Sequence, residues 1–256
     1  MEAYLLINES IIQWLWPLMR ISGVMLVAPI IGSAYVPIRI RAVLAILLTI
    51  VALPHVDATP DVDLLSPMFF LVLLKEVVIG FAIGFVLRLV IDAAVIAGQV
   101  LAISMGLHFA TVVDPQQGGT PTLSQFYVIV ASLLIVTTNA HITLIEMIAM
   151  SFQSLPIVGS TFSAESAWLV AGLAGNMFVA GLQIALPAVA AILIVNVAFG
   201  VVSRAAPTLN LFAVGFPITM LIGFIVTLIG FRTILPIWLA TANQAFSAIL
   251  QIVNGG

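Results

Sequence analysis

The stretch 166–203 reads SAWLVAGLAGNMFVAGLQIALPAVAAILIVNVAFGVVS, 38 residues without a charged side chain and with Pro187 and Asn196 inside it. A bilayer span needs about 20 predominantly apolar residues, so this run is long enough for one broken helix or for two. Apolar runs of the same kind flank it at about 11–31, 38–53, 64–113, 123–154 and 209–250. They set the composition of the whole chain: of 256 residues, 63% are hydrophobic and 7% are charged. Soluble domains carry about 25% charged residues, and a water-soluble monomer of this composition could not cover its own surface. The expected fold class is all-α, a polytopic membrane-type helical protein. No hydrophilic stretch is long enough to build a second domain, so residues 1–256 read as a single one.

Several runs are too short or too interrupted to cross a bilayer unaided. The run 11–31 carries Arg20, Pro17 and Pro29. The next begins after Pro37 and stops at Pro54, at most 16 residues, or about 24 Å of helix. Between 123 and 154 the cluster Thr137-Thr138-Asn139-Ala140-His141 reads as a turn, leaving two arms of about 14 to 16 residues, the second with Glu146. Pro187, Pro207, Pro217 and Pro236 are expected to interrupt the last two regions, because proline lacks a donor and clashes with the preceding turn. Such breaks are tolerated at membrane depth only where protein or a water-filled cavity satisfies the freed backbone. The helices are therefore expected to be broken and arranged in short hairpins.

Loop charge suggests a topology. Arg39 and Arg41 lie in the 35–41 connection, whereas His55, Asp57, Asp61 and Asp63 lie in 54–63. The positive-inside bias puts the first loop on the cytoplasmic side and the N-terminus outside. The start, Met1-Glu2-Ala3-Tyr4 with Glu9 following, lacks the basic region of a cleavable signal and is expected to be mature protein. The net charge of −3, with scattered basic residues, offers no nucleic-acid footprint. There are no cysteines, which removes disulfides, thiol catalysis and cysteine-based metal sites.

The catalytic inventory is poor. Metal sites need clustered donors, but the histidines lie at 55, 108 and 141 with no HExxH pairing. Ser104 sits in Ala102-Ile103-Ser104-Met105-Gly106 and lacks the first glycine of a nucleophile elbow. The sole lysine, Lys75, is followed by Glu76, so there is no Walker-type phosphate loop. An enzyme is not expected, and no catalytic, cofactor-binding or metal residue is assigned.

Charges inside apolar runs are costly unless paired. Lys75 and Glu76 are adjacent, Arg88 and Asp92 are four apart and share a helix face, and Glu146 has no obvious local partner. These five read as buried charges, either satisfied structural pairs or parts of an ion or proton relay. A relay usually needs more unpaired carboxylates. The same features leave one alternative open, a self-contained small-solute transporter or ion channel, although no internal symmetry stands out.

Small residues say more. Gly80 and Gly84 form a GxxxG, and Ala94, Gly98, Ala102 and Gly106 repeat every four positions. In apolar helices this spacing makes a smooth stripe that another helix can approach closely, within the chain or from another subunit. Gly172, Gly175 and Gly181 thin out a later helix similarly. The segment 105–122 then runs through Met105, Gly106, Leu107, His108, Phe109 and Ala110 to Asp114-Pro115-Gln116-Gln117-Gly118-Gly119-Thr120-Pro121. A Gly/Pro-rich loop between apolar helices must lie in water or line a cavity. It reads either as a plain surface loop or as a mobile constriction that closes a pore by dewetting.

Three stretches resemble the FliR family of flagellar export-gate subunits, whose injectisome relatives are called SctT. One is Lys75-Glu76-x-x-x-Gly80, then Ala97-Gly98-Gln99, Met105-Gly106-Leu107-x-Phe109-Ala110 and Val113-Asp114-Pro115. Another is Asn139-x-His141 through Ser151-Phe152 to Leu155-Pro156. The strongest is Leu186-Pro187 through Asn196 to Arg204-Ala205-Ala206-Pro207-Thr208-Leu209-Asn210-Leu211-Phe212-Ala213-Val214-Gly215-Phe216-Pro217. His108 departs from the smaller polar residue expected there. The resemblance implies a part in a helical hetero-oligomeric export gate built with FliP and FliQ, beside FlhB and FlhA. Unfolded flagellar substrates would pass through it one at a time. It also implies that the 105–122 loop plugs the closed channel and that Arg204, Pro207, Asn210, Phe212, Gly215 and Pro217 serve assembly. The implied location is the bacterial inner membrane at the flagellar basal body, with much of the assembly above the bilayer plane on the periplasmic side.

Overall fold

The computed structural model describes residues 2–32, 36–56, 60, 62–63, 66–107, 122–206 and 211–254. The described residues are all-α, with no strand among them. Among the described residues seven α-helices follow one another: α1 Glu2–Val27, α2 Ile38–Ala52, α3 Pro67–Ser104, α4 Thr122–Thr137, α5 Ala140–Ser154, α6 Ala164–Ala205 and α7 Leu211–Val253.

Local chemistry accounts for most of the boundaries. Pro37 (φ −56°, ψ 141°) precedes α2, and its carbonyl accepts from the Ile40 and Arg41 amides. The helix closes in a 3-10 turn, Leu53–His55, that contains Pro54. Ser66 caps α3 by accepting the Phe69 amide at 3.2 Å, with Pro67 at the first helical position, where its missing N–H costs nothing. Asn139 separates α4 from α5 in the left-handed region (φ 57°), which short polar side chains tolerate. α5 ends at Leu155, ahead of Pro156, because the residue before a proline is pushed out of the α region. Ser163 caps α6 through its Oγ and the Ser166 amide at 2.9 Å.

The prolines inside helices behave differently from expectation. α6 runs 42 residues through Pro187 and α7 runs 43 residues through Pro217 and Pro236. An interior proline costs about 3 kcal/mol. In an apolar setting a true break would strand several backbone groups at comparable cost each, so the helix continues. At 1.5 Å per residue each of these helices is about 63 Å long, roughly twice the hydrocarbon thickness. Among the described residues four helices are long and apolar enough to cross a membrane, or five spans if α4 and α5 form one bent span. This is a polytopic membrane-type protein with fewer and longer helices than its prolines suggest.

The chain forms two compact units, residues 1–89, 135–174 and 242–256 in one and 90–134 and 175–241 in the other. In the first, Trp16, Ile21, Ile79, Ile83 and Phe152 are fully buried, and Trp16 meets Phe69 edge-on at 5.2 Å between ring centroids. α1 lies against α3 at glycine: a Cβ on Gly23 would strike the Val77 carbonyl, and one on Gly80 the Arg20 carbonyl. One on Gly84 would come within 2.9 Å of the Val24 oxygen. Residue numbers rise together across this contact, so the two helices run parallel.

In the second unit, Ala93, Ala97, Leu101, Ala102, Met105, Ile184 and Ile192 are buried beside Tyr127 and Trp238. Gly98 lies directly beneath Ser124, and Gly181 against the Ala93 carbonyl. Phe199 packs on Gly215, and Ile192 and Met105 on Gly223. The α6 and α7 segments of this unit therefore form an antiparallel hairpin.

Candidate functional site

The second unit carries the described ends of the loop singled out in the sequence. α3 finishes in a Schellman cap: Gly106 adopts φ 73°, its amide donates to the Ile103 carbonyl at 3.0 Å, and the Leu107 amide reaches the Ala102 carbonyl at 2.9 Å. Only glycine enters the left-handed region without a Cβ penalty. Met105 is fully buried and lies over Gly223, where an added Cβ would come 2.6 Å from its Cε. Met105–Leu107 thus closes α3 as a capped helix end. His108, Phe109, Asp114, Pro115, Gly118 and Gly119 lie outside the described residues. Leu107 and Thr122, the residues flanking 108–121, both line an apolar groove of about 390 Å³ walled by Phe126, Phe224, Leu228 and Phe231. Gly106→Ala is expected to cost about 1 kcal/mol, the penalty of a Cβ at positive φ, readable as a lowered melting temperature of the purified protein.

The first unit holds a buried charge cluster whose centre is Arg20. Its Nε donates to Glu76 Oε2 at 2.7 Å, and both side chains are fully buried. Nη1 donates to the Ser151 carbonyl at 2.7 Å and to Ser151 Oγ at 3.1 Å, and Nη2 to the Leu155 carbonyl at 2.8 Å. The guanidinium also lies 4.3 Å from the Phe152 ring centroid, a cation–π contact. The two carbonyls belong to the C-terminal end of α5, the negative end of the helix dipole. Glu76 Oε1 has no hydrogen bond but lies 3.4 Å from Lys75 Nζ, which itself donates to the Ile157 carbonyl at 2.7 Å and the Ser160 carbonyl at 3.3 Å. These contacts make the cluster a joint between α1, α3 and the segment after α5.

Of the five expected buried charges, only Glu76 is fully buried. Lys75 is 17% exposed, and Arg88 and Asp92 are half-buried on α3. Glu146 is a correction: it is exposed, because α5 turns Leu144, Met147, Ile148, Ser151 and Phe152 inward and leaves 142, 146 and 150 on the opposite face. Gly80, Gly84, Ala94, Gly98 and Ala102 are all buried inside the chain, so their stripes serve intramolecular contact. Gly172 and Gly175 face open space. Among the assembly residues, Arg204 and Pro217 are exposed and Gly215 is buried. Pro207 and Asn210 lie outside the described residues, as does the Phe212 side chain. Among the described residues no three His, Asp or Glu side chains come together as a metal site would require. Sequence reading missed Arg20 as the hub. Its signal was a lone cation in an apolar run, which demands an acid somewhere, but Glu76 is 56 positions away and no periodicity connects them.

Residues 11–245 match the family described as bacterial export proteins, family 1. The chain is 32% identical over 253 residues to the flagellar biosynthetic protein FliR of Escherichia coli strain K12, covering 96% of each chain. It is 31% identical over 214 residues to FliR of Bacillus subtilis strain 168, covering 82% of each. FliR of Aquifex aeolicus strain VF5 is 29% identical over 245 residues, with 96% of this chain and 93% of that one covered.

Proposed function

The chain belongs to the FliR family within the bacterial export proteins, family 1, and on that premise we propose that it is a structural and gating subunit of the flagellar type III export apparatus. It builds the export channel with FliP and FliQ, adjoins FlhB and FlhA, and passes unfolded flagellar substrates. Its place is the inner membrane at the basal body, with part of the assembly above the bilayer on the periplasmic side. The observation that carries the reading is end-to-end similarity to FliR proteins, 96% of both chains in one case. Supporting it, α6 and α7 are apolar along their length yet only 17% of their span windows is buried within the chain. Helices about 63 Å long also exceed what one bilayer can cover.

In this proposal the segment 108–121 closes the channel. Support comes from its stems: a capped, buried helix end at Met105–Leu107 on one side and Thr122, with Ser124 tight over Gly98, on the other. The proposal gives the apolar residues of that segment, Phe109 among them, the part of excluding water from the closed channel. The test replaces 108–119 with a Gly/Ser segment of equal length, leaving both stems intact, and measures ion conductance of the co-expressed complex in planar bilayers. Conductance is expected to rise by about tenfold or more as the dewetted constriction is lost. An assembled complex that stays ion-tight would refute the plug.

A further inference from the structure

Of the 43 residues of α7 only Arg232 is charged, and it stands exposed midway along the helix. The surface around it is apolar on both sides. Leu228 and Ile229 before it are 77% and 70% exposed, and Leu235 after it is exposed as well. Phe199 on Gly215 and Ile192 on Gly223 set the register of the α6–α7 hairpin. By that register the exposed Gln183 of α6 lies level with Arg232, and it too has exposed leucines on both sides, Leu182 and Leu186. Among the described residues Arg232 takes part in no ion pair and no hydrogen bond.

We propose that this face of the hairpin is a subunit interface, covered by an apolar helix of another export subunit that sets an aspartate or glutamate against the Arg232 guanidinium. The argument is one of charge. Arginine stays ionised in proteins, and a lone cation on an apolar face is costly unless an acid meets it. Inside the chain the same demand at Arg20 is met by Glu76 at 2.7 Å; at Arg232 the acid has to come from outside. Lipid phosphate is the poorer source at this position. A helical Cβ tilts toward the helix N-terminus, which turns the Arg232 stem toward Leu228 and away from the polar end of α7 at Asn243 and Gln244. In the direction of Leu228 every exposed residue back to Val214 is apolar, a distance of about 27 Å that an arginine cannot reach across. Gln183, on the same level, adds an amide that can donate to the same carboxylate. The proposal rests on the chain being one subunit of a hetero-oligomeric gate, and not on the plug.

The test co-expresses the full-length chain with FliP and FliQ and measures the complex recovered through an affinity tag on a partner. Parent, Arg232→Gln, Arg232→Glu and Arg232→Lys are compared in lipid-free detergent and with phosphatidylglycerol added. Arg232→Gln is expected to lower recovery by about tenfold or more in both media, the scale of a truncated interfacial charge pair. Arg232→Glu should lower it further by like-charge repulsion, and Arg232→Lys should restore part of it. The melting temperature of the isolated chain should not move in any of the three, because Arg232 has no polar partner within it. Equal recovery of Arg232→Gln and parent would overturn the interface. A matching fall in the isolated chain's melting temperature would make Arg232 a folding contact instead. A loss confined to samples with phosphatidylglycerol would assign the guanidinium to lipid phosphate. If the parent itself brings down neither partner, the subunit reading fails, and this interface with it.

Discussion

Glu76→Leu is expected to lower the stability of the folded protein by about 3–5 kcal/mol, because it strands a buried guanidinium without its acid. Arg20 would keep the Ser151 and Leu155 carbonyls and the Phe152 ring, but neutral acceptors do not balance a full charge in an apolar interior. Arg20→Met is expected to be costly for a different reason. Glu76 would retain Lys75 at 3.4 Å, while the end of α5 would lose the donors that tie it to α1. The double variant removes both charges and should recover part of the loss, since an apolar pair of similar volume often replaces a buried ion pair at little cost. Some deficit remains from the Leu155 carbonyl, which loses its guanidinium donor at about 1 kcal/mol, whereas the Ser151 carbonyl keeps the Leu155 amide at 3.0 Å. The expected signature is therefore a coupling of about 3 kcal/mol in the double-mutant cycle, measured by steric trapping or denaturant titration of the purified protein. Simple additivity would show that Arg20 and Glu76 act as independent caps rather than as one joint.

That joint marks the boundary of what was readable beforehand. α2 lies between Pro37 and Pro54 as its sequence suggests, and Asn139 breaks the 123–154 run where the polar cluster stands, because both depend on backbone preferences local to a few residues. The prolines at 187, 217 and 236 were misleading for the same reason: proline's local penalty is real, but the non-local cost of an unpaired backbone in an apolar setting outweighs it. Arg20 and Glu76 meet through the parallel packing of α1 on α3, a tertiary fact with no local trace. Glu146 looked buried because it stands in an apolar run, yet an amphipathic α5 has an exposed face, and 146 is on it. The loop at 105–122 was legible as unusual, but its first three residues belong to a helix cap whose hydrogen bonds only coordinates reveal.

The other large effect concerns glycine. Gly80→Val is expected to separate α1 from α3, since the added Cβ would collide with the carbonyl of Arg20, and a backbone atom cannot swing aside as a side-chain tip can. Overpacking alone costs about 1–3 kcal/mol. Here the displaced backbone is that of Arg20, so moving it also lengthens the contact to Glu76, and the loss should exceed that range. Gly223→Ala offers the contrast: its nearest neighbours are side-chain atoms, Met105 Cε and Cγ and the Ile192 tip, and it should cost about 1–3 kcal/mol. Gly172→Ala meets open space and should gain up to about 1 kcal/mol from helix propensity. The three glycines are hard to tell apart in sequence, all lying in apolar helical runs, so the order of their effects tests the packing itself. Melting curves of the three purified variants should rank Gly172→Ala highest and Gly80→Val lowest. If Gly80→Val melts like the parent, α1 and α3 do not touch through glycine, and the parallel packing that brings Arg20 to Glu76 is wrong.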